Sequence, residues 1–272
     1  MTSPLLAVSD LKLHFPQRSG VFLQNRQYVK AVDGVSFDIY PGETLGLVGE
    51  SGCGKSSIGK ALLNLYRPTA GQVIFDGQNI ADLSERDMRP HRRQLQMIFQ
   101  DPFESLNARH PVGTILEEPF IIHRIGDAAE RRRRVLKLLE QVGLDARAID
   151  KYPHEFSGGQ RQRIGIARAI ALRPQLLICD EAVSALDVSV QAQILNLLLE
   201  IQQEMNLSLL FISHDLSVVR HMSDRIAVMY LGVLVETGPA DQIYEQPRHP
   251  YTRALIDAVP SIAPQADAKA GS

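Results

Sequence analysis

Cysteine is nearly absent, with two among 272 residues, Cys53 and Cys179. So few thiols argue against a disulfide scaffold or a cysteine-rich metal centre, and predict two reduced thiols in an intracellular protein. Long apolar runs are missing too. No stretch approaches the roughly 18 residues of a membrane span. The longest, such as Leu207 to Ile212, have the length of a strand. The opening MTSPLLAVSDLKLH lacks the basic head and apolar body of a signal peptide. Nor does one sign of charge dominate. Lys and Arg number 29 against 31 Asp and Glu, for a net charge of −2. That balance gives no reason to expect nucleic acid or an anionic membrane surface as the main partner. A soluble chain is expected, with any membrane role exerted through a partner.

Apolar residues make up 44% of the chain, enough for a sizeable core. Residues 5–15 and 28–40 pattern as strands, with a polar stretch around 17–27 between them. Thr44 to Val48 is a short apolar strand and Lys55 to Leu65 a helix. Gly71 to Ile80 alternates as a strand that turns at Asp76-Gly77. Leu95 to Phe99 is another strand. From about 112 to 173 the pattern is helical. Asp127 and Glu130 form a capping box. Val135, Leu138, Leu139 and Val142 follow at helical spacing, and Gly143 ends the run. A further helix opens at Ser157. Then come a buried strand (Leu176 to Cys179), a helix (Val188 to Met205), a strand (Leu209 to Ser213) and short strands around Gly232. Alternating strands and helices predict an α/β core with a largely parallel sheet. The strandless block 101–173 reads as a helical subdomain inserted into it.

The strongest local signal is GESGCGKSS at 49–57, which fits G-x-x-x-x-G-K-[ST] after a strand and before a helix. Its glycines let the backbone curl until successive N–H groups point inward at a phosphate. Lys55 can reach the outer phosphates, and the Ser56 hydroxyl can ligate Mg²⁺. LLICDE at 176–181 places two carboxylates at a strand end. Asp180 suits Mg²⁺, directly or through water. Glu181 points elsewhere and suits the deprotonation of an attacking water. Alone, such acids are often merely solvated; the phosphate loop reverses that reading. Gln100 and His214 each follow a strand and could sense a terminal phosphate, although a lone glutamine or histidine is more often structural. Arg131 to Arg134 read as a solvated helix face rather than a nucleic-acid patch.

Ser157-Gly158-Gly159-Gln160 opens its helix with a hydroxyl, exposed N–H groups and a helix dipole, making a second phosphate-binding surface. The plainer reading is a simple N-cap. One nucleotide does not need two phosphate-binding helix starts from one chain. Two chains arranged head to tail would use both.

Taken together and in order, GESGCGKSS, Gln100, FSGGQRQR at 156–163, LLICDE, Ser184-Ala185-Leu186-Asp187 and His214 resemble the ATP-binding cassette (ABC) ATPases. The resemblance covers about residues 5–260. It implies an ABC-type nucleotide-binding domain: a mostly parallel core sheet, an N-terminal antiparallel β subdomain and the inserted helical subdomain. It implies ATP and Mg²⁺ as cofactors. Gly49, Glu50, Ser51, Gly52, Cys53, Gly54, Lys55, Ser56 and Ser57 would bind nucleotide. So would Ser157, Gly158, Gly159, Gln160 and Asp187, with Phe15 stacking on the adenine. The catalytic set would be Glu181, His214 and Gln100, and the metal set Ser56, Gln100 and Asp180. Ala182 stands where the family usually has proline, and Phe156 where it has leucine; neither change removes a catalytic group.

The 16–29 loop, QDPFESLN at 100–107, DEAVSALDVSVQAQILNLL at 180–198 and PRHPYTRALIDAVP at 247–260 resemble the dipeptide/oligopeptide importer branch. This implies an ATPase domain over 1–245 and an importer-type C-terminal extension over 246–262. Residues 263–272 read as a disordered tail. Partners would be a second ATPase subunit (the same chain or a paralogue), two membrane permease subunits and, indirectly, an extracytoplasmic solute-binding protein. Its place would be the cytoplasmic face of the inner membrane. Some relatives hold an iron–sulfur cluster through C-terminal cysteines; none occur there in this chain, so no cluster is expected. Cargo choice would lie with the partners. The alternative is an ABC ATPase of a soluble, carbon–phosphorus-lyase-like complex. A P-loop kinase or GTPase fits poorly, because SGGQ is present and an Asn-Lys-x-Asp guanine reader is not.

Overall fold

The computed structural model describes residues 3–17, 27–100 and 106–258. Most of the 16–29 loop, most of QDPFESLN and the tail from 263 lie outside the described residues.

Two sheets carry the molecule. The first is antiparallel, with order β2-β1-β4-β5. It comprises β1 (Leu6–Gln17), β2 (Gln27–Ile39), β4 (Ala70–Phe75) and β5 (Gln78–Asn79). Asp76 and Gly77 both take positive φ, 48° and 78°, as a tight primed hairpin turn needs. The second sheet has order β10-β9-β3-β8-β7-β6. It comprises β3 (Thr44–Val48), β6 (Leu95–Ile98), β7 (Leu176–Asp180), β8 (Ser208–Ser213), β9 (Arg225–Tyr230) and β10 (Val233–Pro239). Its pairs from β6 to β9 are parallel, and only β9–β10 is antiparallel. β3, β7 and β8 are buried along their whole length, which explains their unbroken apolar runs.

Helix α1 (Lys55–Leu62) follows β3, and α2 (Glu85–Gln94) precedes β6. The helical block comprises α3 (Val112–Ile122), α4 (Ala128–Gln141) and α5 (Gly158–Ile170), with two short 3₁₀ turns before α5. No strand occurs in its described residues, 106–173. Val135, Leu138, Leu139 and Val142 of α4 and its C-cap are all buried, as their spacing predicts. Long α6 (Val188–Met205) leads into β8. Then come α7 (Leu216–Met222), α8 (Ala240–Glu245) and α9 (Pro250–Asp257). One core cluster joins the parallel sheet to the helical block; the other joins it to the antiparallel sheet.

The capping box expected at α4 is half formed. Asp127 accepts from the Glu130 N–H at 2.8 Å. The Glu130 carboxylate turns instead to Arg134, one turn on, at 2.6 Å, an ion pair that outcompetes the return bond. The four arginines are also not all solvated. Arg131 pairs with Glu117 at 2.7 Å and ties α4 to α3.

Candidate functional site

Several of the side chains expected to be functional gather at the C-terminal ends of the parallel strands, where ligands bind in open α/β sheets. β3 runs into the phosphate loop, and Gly54 caps α1 with φ of 112°. A side chain there would meet the Ala31 carbonyl at 2.0 Å, so only glycine fits. Lys55 is buried. Its ammonium donates to the Gly49 carbonyl at 2.7 Å and the Glu50 carbonyl at 2.8 Å. The lysine expected to reach outward thus braces its own loop; its third proton meets Cys53 Sγ at 3.9 Å, a weak bond that a phosphate oxygen would replace.

Ser56 donates its hydroxyl proton to Asp180 Oδ1 at 2.8 Å, linking the first residues of α1 to the end of β7. Asp180 is 2% exposed. Burial pushes its carboxyl pKa up, against the Ser56 hydrogen bond; nearby Glu181 adds to the rise. A buried carboxylate beside a hydroxyl is a set of hard oxygen donors, and a divalent cation would offset the cost of its charge. Mg²⁺ takes few protein ligands, so two oxygen donors fit it.

Glu181 takes φ of 47°, rare for a residue with a side chain, which turns it away from the direction of Asp180. Its N–H donates to the Ile212 carbonyl at 3.0 Å, and its carbonyl accepts from Ser184 Oγ at 3.0 Å. Two further side chains meet its carboxylate. Gln100 Nε2 donates to Oε2 at 2.7 Å, and His214 Nδ1 lies 3.3 Å from Oε1. Gln100 and His214, read from sequence as phosphate sensors, thus converge on the expected base. Gln100 and Asp180 line one cavity, and among the described residues no hydrogen bond joins Gln100 to Ser56 or Asp180.

Ser157 to Gln160 form a complete capping box. Ser157 Oγ accepts from the Gln160 N–H at 3.3 Å, and Gln160 Oε1 accepts from the Ser157 N–H at 3.1 Å. The plainer N-cap reading is therefore physically real here. Ser157 and Gln160 are nevertheless exposed, and no hydrogen bond among the described residues joins 157–160 to 49–57. Asp187 caps α6, accepting from the Val190 N–H at 3.0 Å and from Ser189 Oγ at 2.9 Å. Those bonds, the Val190 amide first, hold its carboxyl below the usual range. Phe15 is half-buried, its ring edge-on to Tyr66 with centroids 5.3 Å apart. Ala182 and Phe156, the two departures from the family pattern, are both buried apolar residues. Cys53 and Cys179 are buried free thiols, and desolvation pushes Cys179 to about 12. Sequence reasoning missed Tyr251, whose hydroxyl accepts the Glu50 N–H at 3.0 Å; only its place in PRHPYTRALIDAVP singled out that segment.

A parallel sheet with a phosphate loop after its central strand and an acidic neighbouring strand end defines a P-loop nucleotide-binding protein. The description "ABC transporter" matches residues 32–184, and "Oligopeptide/dipeptide transporter, C-terminal region" matches 235–272. The chain is 56% identical over 257 residues to the oligopeptide transport ATP-binding protein AppF of Bacillus subtilis, covering 94% of this chain and 78% of that protein. It is 54% identical to OppF of the same organism, covering 96% and 84%. The glutathione import ATP-binding protein GsiA of Pectobacterium atrosepticum is 53% identical, and there the chain spans 42% of the relative's length. Among solved structures, a dimeric post-hydrolysis state of the ATP-binding cassette MJ0796 bound to ADP and Pi matches with a TM-score of 0.76 at 27% identity, covering 86% of this chain and 98% of that one. The chain belongs to the ABC transporter family, as an ATP-binding, ATP-hydrolysing cassette.

Proposed function

We propose that this chain powers an importer of peptides or a related small solute, acting through partner membrane subunits at the cytoplasmic face. The import names of the relatives support the transport reading, and none of those compared names a soluble complex. The observation that carries the chemistry is the convergence of Gln100 and His214 on Glu181, next in the chain to the Ser56–Asp180 pair. Lys55 and the loop amides hold the phosphates. Ser56 and Asp180 would hold Mg²⁺, which when bound spreads the charge of the outer phosphate oxygens. Glu181 takes the proton of the attacking water, and Gln100 and His214 fix the direction of its carboxylate. Ser157 to Gln160 offer their helix start to the nucleotide held by the loop of a second ATPase subunit, in a head-to-tail dimer.

A cavity of about 1120 Å³ reaches Gln100 and Asp180 from the side of the helical block. Exposed apolar side chains line it, namely Leu65, Phe99 and Ile122. An apolar segment of a membrane subunit seated there would touch Gln100 directly, a route from transport to the base. The C-terminal extension, taken as 246–262, follows the ATPase domain.

Glu181→Gln tests the reading. ATP binding should persist and hydrolysis should fall by about a hundredfold or more, the usual scale for a lost general base. A closed dimer should accumulate with ATP on size exclusion. Normal turnover by this variant would remove Glu181 from the role.

A further inference from the structure

The described part of the C-terminal region ends in α9, whose first turn reaches the phosphate loop. His249 caps α9, its Nδ1 accepting the Tyr251 N–H at 3.2 Å, and Pro250 starts the helix. The preceding turn is pinned by Glu236 of β10. The carboxylate of Glu236 accepts the N–H of Arg248 at 2.8 Å and of His249 at 3.0 Å. This turn aims Tyr251 back at the sheet. Its ring packs on Tyr230 at the end of β9, with centroids 4.3 Å apart. Its hydroxyl accepts the Glu50 N–H at 3.0 Å.

Glu50 is the second residue of the phosphate loop, and its carbonyl already takes the Lys55 ammonium. That residue is therefore held at both ends, by the C-terminal region at N–H and by Lys55 at C=O. The loop is held a second time where Gly232, between β9 and β10, donates its N–H to the Cys53 carbonyl at 3.0 Å. The Glu50 N–H serves as an anchor and the Cys53 N–H closes back on the Glu50 carbonyl at 3.3 Å, leaving the amides at the start of α1 to face the phosphate. Such a loop binds through donors fixed in direction, so a loosened peptide weakens it.

We propose that Tyr251 is a positioning residue of the nucleotide site, and that the C-terminal region is through it a working part of that site. This rests on reading 49–57 as the ATP phosphate loop. Equilibrium titration of the full-length chain with ATP tests it, with the unfolding midpoint measured alongside. Tyr251→Phe keeps the ring on Tyr230 and removes only the hydroxyl. Affinity should fall about fivefold, the scale of one neutral hydrogen bond, with the midpoint within about 4 °C of wild type. In the assembled transporter KM for ATP should rise by a similar factor with kcat held within about twofold. Unchanged affinity overturns the proposal. So does an affinity loss that accompanies a larger drop in midpoint, because that reports packing. Lys55→Ala separates the two failures. If Lys55→Ala binds ATP as wild type does, the phosphate-loop reading fails. If it loses ATP while Tyr251→Phe binds normally, only the role of Tyr251 falls.

Discussion

At the residue scale Asp180 is a buried charge that carries a cost. A carboxylate so deeply buried is stable in its charged form only with partners; Ser56 is a neutral one, and the charges of Lys60 and Lys55 help from further away. Its folded pKa lies above the unfolded value, chiefly through burial. The sign follows. Its contribution to stability is full below the ordinary carboxylate range and is lost as pH rises through the raised folded value. Asp180→Asn keeps an acceptor for Ser56 and carries no charge. In metal-free buffer the variant should unfold at a higher temperature than wild type at neutral pH, with the gap closing as pH falls toward about 4. Its hydrolysis should be nearly lost. A pH-independent difference in midpoint would show that the buried charge is not the cause. Asp180, Glu181, Gln100 and His214 could be singled out in the sequence because each lies at or just after a strand end and a phosphate loop precedes them. Their mutual contacts were not. Whether an amide aims at a phosphate or at a neighbouring carboxylate depends on the spacing of β6, β7 and β8 across the sheet, which no local pattern encodes.

At the element scale a tight constraint lies between α5 and α6. A side chain at Gly159 would meet Val190 Cγ1 at 2.4 Å, so Gly159 lets the helix start at Ser157 lie against the helix start at Asp187. Those two capped ends are thereby held as one surface. Gly159→Ala gains helix propensity of about 1 kcal/mol and should still destabilise the chain by about 1–3 kcal/mol in denaturant unfolding through overpacking. Adding Val190→Ala should recover most of that loss. Additive effects of the two changes would mean that the contact is not the reason for glycine. The strands and the long helix α6 were legible because their apolar runs and capping residues are long and local. Helix α2 was not: Pro90 lies inside it and Met88 is its only buried residue, so no apolar period marks it. Ser84, which caps it through the Asp87 N–H, was the available signal. α7, α8 and α9 are each too short for a helical period to repeat.

At the scale of the whole molecule, two surfaces lie far apart in sequence from the phosphate loop they are proposed to serve. The C-terminal region returns to the phosphate loop through Tyr251, a contact spanning 201 residues. Long-range closures of this kind follow from how β9 and β10 add to the sheet beside β3, and a linear reading has no access to them. The SGGQ surface was legible as chemistry, but the purpose proposed for it lies outside one chain. It is joined to its own phosphate loop by no hydrogen bond among the described residues, and its capping box is already complete. Its exposed helix start is therefore available to a nucleotide on a second subunit. Ser157→Asp tests this most directly, because aspartate caps a helix as well as serine does and places a negative charge where a phosphate would sit. ATP binding by the isolated chain and hydrolysis by the assembled transporter would be measured together. The composite site predicts binding within about twofold of wild type and hydrolysis reduced about a hundredfold or more, the scale of a lost oxyanion-type contact. Normal hydrolysis would reduce Ser157 to a helix cap. A loss of binding by the isolated chain would place SGGQ at that chain's own nucleotide.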